Sequence, residues 1–216
     1  MILVPTSNAD DWRRLLADPQ TQWRRGYSAM ATALSWEAAA GLPKEVSAII
    51  GGEPDLLFAI PEHKVALPGG GRASQCDVFA LVRAGDQTVA LAVEAKVDEP
   101  FGPTVDEWLQ GASDGKTTRI RYICQLLGLP QRPKTGLRYQ LFHRTAAAVI
   151  EAERFKADRA AMIVQSFSQQ HKWFEDFHEF AGQFGLDAQP GAALNCRLPS
   201  GMNLTLGWAV GSEEFL

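Results

Sequence analysis

The 216-residue sequence has no apolar run near the ~18 residues needed to cross a bilayer, so no membrane-spanning helix is expected. Its start, Met1-Ile2-Leu3-Val4-Pro5-Thr6-Ser7, lacks the basic stretch and long apolar segment of a secretory signal. The three cysteines, Cys76, Cys124 and Cys196, are too few and too widely spaced for a zinc pattern and leave an odd thiol. A reducing, cytoplasmic setting is expected. No GxSxG, Walker, dinucleotide-binding or HExxH pattern occurs, so several common routes to hydrolysis and nucleotide binding are excluded. Internal repeats and low-complexity tracts are also missing. Positive charge is not in excess: 21 Lys and Arg face 25 Asp and Glu, for a net charge of −4. That balance does not suit a general nucleic-acid binder.

One absence is local. From Gly115 to Ile150 there is no Asp or Glu, while Lys116, Arg119, Arg121, Arg132, Lys134, Arg138 and Arg144 all fall there. The remainder of the chain carries 14 cations against 25 anions. A basic segment in an acidic protein is either a solvated helix face or the contact for a local anionic partner.

What is present is an ordinary globular composition, 46% hydrophobic and 21% charged, with a length that suits a single domain spanning 1–216. Ser7 or Asn8 can cap a short helix with Asp10 and Asp11 in its first turn. Tyr27–Ala40 and Pro43–Ile50 read as helices ended by glycines. Leu56–Ile60 and Lys64–Leu67 are short strand-like runs before the breaker Pro68-Gly69-Gly70-Gly71. Gln75–Arg83 and Thr88–Val97 read as two paired strands, apolar enough to lie inside a sheet covered on both faces. Helices are expected at Thr104–Ala112, Thr117–Leu127 and Leu137–Ala157, a strand at Ala160–Phe167 and an aromatic-rich helix at Gln169–Phe184. Ala193–Leu198 and Asn203–Val210 read as a terminal hairpin. It either extends the sheet edge or forms a dimer contact, which leaves a homodimer open. The order gives an α/β fold: a mixed central β-sheet flanked by helices (αβββαβ), with N-terminal helices and the C-terminal hairpin added. The core spans 27–167 and the extension 168–216.

The chemistry concentrates on the two central strands. Asp77 lies in the first, Glu94 and Lys96 in the second. Alternation puts Glu94 and Lys96 on one face, and a hairpin can bring Asp77 beside them. Charges within apolar strands are costly unless paired or metal-bound. Two carboxylates with main-chain carbonyls and water suit Mg²⁺ or Mn²⁺. A lysine nearby could orient water or stabilise charge on a phosphate. The other reading of the same residues is an ion pair at the end of a sheet.

Asp–x₁₆–Glu–x–Lys on consecutive strands, with a helix before and a helix and strand after, resembles the PD-(D/E)XK nuclease superfamily, the restriction-endonuclease-like fold. The resemblance spans about Tyr27 to Phe167. It implies that Asp77 and Glu94 bind a divalent metal together with the Ala95 carbonyl, and that Lys96 is catalytic. It also implies an additional metal-binding acid at Glu37, on the preceding helix. Cys76 stands where many members have proline. Pro54-Asp55 is read as a turn, not as the motif. Tyr139-Gln140 resembles the Gln/Tyr motif of exonuclease-like members with the order reversed, and places Gln140 at the site. Ser74 through Gly102 and Tyr139 through Thr145 are similar to a small bacterial family within that superfamily, which brings no substrate with it.

The resemblance therefore implies Mg²⁺- or Mn²⁺-dependent hydrolysis of nucleic acid, DNA before RNA, leaving 5′-phosphate and 3′-hydroxyl ends. Lys116, Arg119 and Arg121, with Arg132, Lys134, Arg138 and Arg144, would then flank a backbone-binding groove. Gly69-Gly70-Gly71-Arg72 is either an ordinary turn or a mobile loop that carries Arg72 to the site. The alternative function is a catalytically inactive module of the same fold that binds nucleic acid or protein. His171, Glu175, His178 and Glu179 are read as part of a packing helix. Cys76 is read as a small core residue, and Trp12, Trp23, Trp36 and Trp108 as packing.

Overall fold

A computed structural model describes residues 6–131 and 133–216. Among these, six strands form a single open mixed sheet in the order β1-β2-β3-β4-β6-β5. The strands are β1 (Asp55–Val65), β2 (Ser74–Ala84), β3 (Gln87–Lys96), β4 (Arg159–Ser166), β5 (Ala193–Arg197) and β6 (Asn203–Val210). β1, β2 and β3 run antiparallel in sequence, joined at β2–β3 by a tight turn in which Gly85 takes φ 60°. β3, β4 and β6 are parallel. β5 pairs antiparallel with β6 at the far edge, so the terminal hairpin is an extension of the sheet.

The helices are α1 (Pro19–Gln22), α2 (Ser28–Ala38), α3 (Lys44–Ile50), α4 (Val105–Leu109), α5 (Asp114–Leu127), α6 (Tyr139–Phe155) and α7 (Phe174–Ala181). A 3₁₀ segment, Ala9–Leu15, precedes them, capped by Asn8 as its sequence suggests. Strand alternation sorts side chains into two cores. Val89, Leu91 and Val93 of β3 join Val78, Ala80 and Val82 of β2 against Trp12, Trp36, Val46 and Ile49. Ala90 and Ala92 face the opposite side, with Phe79, Met162 and Val164 under Phe142, Ala146 and Val149 of α6. Small residues on that face of β3 let α6 lie close. Glu94 and Lys96 continue the same face.

The sequence reading offers no helix at Pro19–Gln22 and departs from the structure at three further elements. The two runs around 56–67 form one strand, β1, which begins at Asp55 and contains Pro61. An edge strand tolerates proline because one side of its ladder is unpaired. Its irregularity is taken up by a register shift between Leu56 and Phe58 and by Glu62, whose φ is 54°. The aromatic helix starts late, at Phe174, because His171 and Trp173 have φ of 52° and 71°, outside helical space. α4 is a short turn of helix closed by a Thr104–Glu107 capping box.

No helix among the described residues is long and apolar enough to cross a membrane. α3 crosses β6 at Gly207, where a Cβ would lie 2.6 Å from Ile49 Cγ2. Gly207→Ala should therefore lower stability by about 1–3 kcal/mol through overpacking. Urea denaturation reads this, and an unchanged midpoint would mean that α3 does not sit on β6.

Candidate functional site

The register of β2 and β3 runs from Ala84↔Gln87 to Val78↔Val93 and ends there, while β3 remains paired with β4 as far as Lys96↔Ser166. At the fork, the Ala95 N–H donates to Asp77 Oδ2 at 2.6 Å, a side chain taking the place of a ladder carbonyl. Among the described residues nothing donates to the other Asp77 oxygen. A cavity of about 650 Å³ opens over this fork. Asp77, Glu94, Ala95, Lys96, Gln140 and Arg144 line it, so six of the residues proposed from sequence come together.

Glu94 is its centre and is 2% exposed. Its Oε1 accepts from Lys96 Nζ at 2.7 Å and from Gln140 Nε2 at 2.6 Å. Its Oε2 accepts from Arg144 Nε. Gln140 and Arg144 lie one helical turn apart on α6, which is why both reach the same carboxylate. Burial opposes the charge on Glu94, but Arg144 and Lys96 outweigh it and hold the carboxyl down to about 2. Arg144 is pushed further above its already high value by Glu94, against its own burial. Arg144 Nη1 also donates to Ser74 Oγ at 3.1 Å, and Ser74 Oγ is 2.8 Å from His143 Nδ1. Burial, with Arg144 alongside, pushes His143 down to about 3, so it is neutral. Lys96 Nζ lies 5.2 Å from the centre of the Phe101 ring.

Two acids that the sequence reading passed over also line the cavity: Glu62 and Glu99. The pairs Pro61↔Val78 and His63↔Cys76 place Glu62 opposite Asp77. Glu62 Oε2 accepts from Gln75 Nε2 at 2.5 Å. Burial and the negative charge of Glu94 push Glu62 up to about 7. Asp77 is raised well above the usual carboxylate range by burial and by Glu94 and Glu62 together. Glu99 accepts from the N–H of Ser28 and of Val97, tying the start of α2 to the end of β3. The only trace of Glu62 in the sequence was the gap between two strand-like runs.

Several expected residues are elsewhere. Glu37 accepts from Trp12 Nε1 at 2.7 Å and Thr6 Oγ1 at 2.8 Å and does not line the cavity, because the N-terminal segment takes up its carboxylate. Arg119 is 8% exposed and donates to the carbonyls of Leu67, Pro68, Gly70 and Arg72. It ties the glycine loop to α5, and Arg72 does not line the carboxylate cavity. Arg138 donates to the Gly102 carbonyl and lies 3.1 Å from Asp176. Lys116 donates to the Trp108 carbonyl at 2.6 Å. Arg144 serves Glu94. Arg121 and Lys134 are not buried, and Arg132 lies outside the described residues. The basic segment is thus not one continuous face: most of its cations are neutralised or capped within the fold.

No group of three or more His, Cys, Asp and Glu side chains among the described residues is arranged to hold a metal. The donor set at the fork is smaller: the Asp77 carboxylate, a remaining lone pair of Glu94 and the Ala95 carbonyl. Such oxygen sets suit Mg²⁺, which keeps several waters and shares substrate oxygens. The upward push on Asp77 from burial, Glu94 and Glu62 marks an excess of negative potential that a cation would relieve.

The chain belongs to the family described as Domain of unknown function (DUF6946), which matches residues 5–213. No curated protein and no solved structure matches it significantly.

Two measurements check this geometry. Removing one partner of a buried ion pair strands the other, so Arg144→Met should cost about 3–5 kcal/mol. Exposed Arg121→Ala should stay within about 0.5 kcal/mol in the same denaturation assay. The second is the pH dependence of Tm. Glu62 binds its proton more tightly folded, about 7 against 4.5, so its contribution is present below pH 4.5 and lost as pH rises through 7. Glu62→Gln should therefore raise Tm at pH 8 relative to wild type and leave it near wild type at pH 4.5. Parallel curves would show that Glu62 is solvated.

Proposed function

We propose that this chain is a Mg²⁺- or Mn²⁺-dependent phosphodiesterase that cleaves nucleic acid, DNA before RNA, on a restriction-endonuclease-like core. The observation that carries the reading is the meeting of Asp77, Glu94 and Lys96 in one cavity where β2 and β3 part. The helix, three antiparallel strands, helices and parallel strand around it agree with that core.

Asp77, Glu94 and the Ala95 carbonyl would hold the cation, which when bound supplies an acidified water and offsets phosphate charge. Lys96 gives one N–H to Glu94 and keeps two for water or a phosphate oxygen. Gln140 and Arg144 act through Glu94: they fix its rotamer and keep it ionised. They are positioning residues.

A second reading, an inactive binding module, is favoured by one fact. Three donors already occupy both oxygens of Glu94, as a structural ion-pair network would have them. Calorimetry with Mn²⁺ on wild type and Glu94→Gln, followed by cleavage assays on single-stranded, duplex and branched DNA, separates the two. The phosphodiesterase reading expects metal binding that Glu94→Gln loses. It also expects cleavage that falls about 10²–10⁴-fold in Asp77→Asn and Lys96→Met. Full activity in either variant would end the assignment, and a wild type without metal binding or cleavage, with oligonucleotide present or absent, would leave the binding module.

A further inference from the structure

A second hollow, about 460 Å³, lies beside the carboxylate cavity under the loop Gly69–Gly71. Its shape is set by close backbone contact. A Cβ on Gly69 would strike the Gly115 carbonyl and one on Gly115 would strike the Gly69 carbonyl, so only glycine lets the loop close on the start of α5. Arg119 holds the loop from within through its four carbonyl contacts.

The charge of this hollow has one sign. Arg72, Lys116 and Arg119 line it, and no Asp or Glu among the described residues does. Lys116 has given one of its three N–H groups to Trp108. Tyr139, 7% exposed and stacked on Trp108 at 3.9 Å, lines the hollow, and its buried hydroxyl has no acceptor within hydrogen-bond distance among the described residues. The guanidinium beside it, Arg119, is a donor only, so the phenol proton has no acceptor. A buried donor left unpaired is a mark of a missing acceptor.

The hollow and the carboxylate cavity are both neighbours of one further hollow. This third, smaller one of about 290 Å³ shares Tyr139 and His143 with the second, and shares Lys96, Gln140 and Arg144 with the cavity over the fork. The three therefore lie side by side, with Tyr139 and His143 between two of them and Lys96, Gln140 and Arg144 between the other two.

We infer that the second hollow is a phosphate subsite, in which Lys116, Arg72 and the Tyr139 hydroxyl take the phosphate of a nucleotide flanking the one at Glu94 and Lys96. The substrate is then a strand that crosses the third hollow, not a lone nucleotide. This rests on the phosphodiesterase reading for the identity of the ligand. The positive hollow and the phenol without an acceptor stand apart from that reading.

The test uses the full chain in EDTA, with inorganic phosphate and a phosphorothioate-linked hexathymidylate as probes, read by calorimetry. Lys116→Gln and Tyr139→Phe should each weaken both probes about tenfold, the loss of a hydrogen bond to a charged group. Tyr139→Phe keeps the stack on Trp108, so it should fold like wild type. Mn²⁺ titration of the same proteins reads the carboxylate cavity alone and should be unchanged by either variant. Phosphate binding that is absent from wild type, or equal in all three proteins, overturns the subsite. Phosphate binding that follows the variants in a protein that takes no Mn²⁺ upholds the anion pocket and overturns its assignment to a nucleic-acid strand.

Discussion

A carboxylate buried to 2% exposure at the end of an interior strand has to be answered by positive charge or it will not stay ionised. Glu94 is answered twice, by Lys96 two residues along its own strand and by Arg144 from α6, and the neutral amide of Gln140 adds a third donor. That arrangement constrains much else. It fixes how α6 rotates over the sheet, because both of its donors must face β3. It requires small residues at Ala90 and Ala92, so that the helix can come close enough to deliver them. It also concentrates so much charge near the fork that Asp77 and Glu62, facing an ionised Glu94, are pushed toward their neutral forms. The ion pairs and the proposed chemistry are therefore not alternatives in geometry. One network orients Glu94 and leaves Asp77 needing a positive partner.

The basic segment teaches a related lesson. Counted along the chain, seven cations without an acid suggested a surface for phosphates. Folded, Arg119 closes a glycine loop, Arg144 serves Glu94, and Arg138 and Lys116 cap main-chain carbonyls. Guanidinium groups are good at this because their five donors can gather several carbonyls at once. What remains for a ligand is local: Lys116, the rim residue Arg72 and a phenol without an acceptor, all in one hollow beside the carboxylates.

Much of this was legible in the sequence. The paired strands, the crossover helices, the hairpin at the end and the placement of Asp77, Glu94 and Lys96 on one face follow from periodicity of two and from glycines at element ends. Gln140 and Arg144 were legible as a pair on one helical face. Glu37 was assigned to the site by the resemblance alone, and a position on the preceding helix does not say which neighbour reaches its carboxylate first. Trp12, 25 residues earlier, does so.

Glu62 was invisible for another reason. It sits in β1 beside Pro61 with a left-handed φ, where local rules predict a break in the strand. Only pairing with β2 carries the chain through that break and sets Glu62 opposite Asp77. The sequence by itself determined the order of elements and the three strand residues at the site, because side-chain alternation is a property of a few consecutive positions. The tertiary structure decided which cations are taken up inside the fold, which acids share the cavity and where an acceptor is missing, because each of those depends on residues that meet from distant parts of the chain.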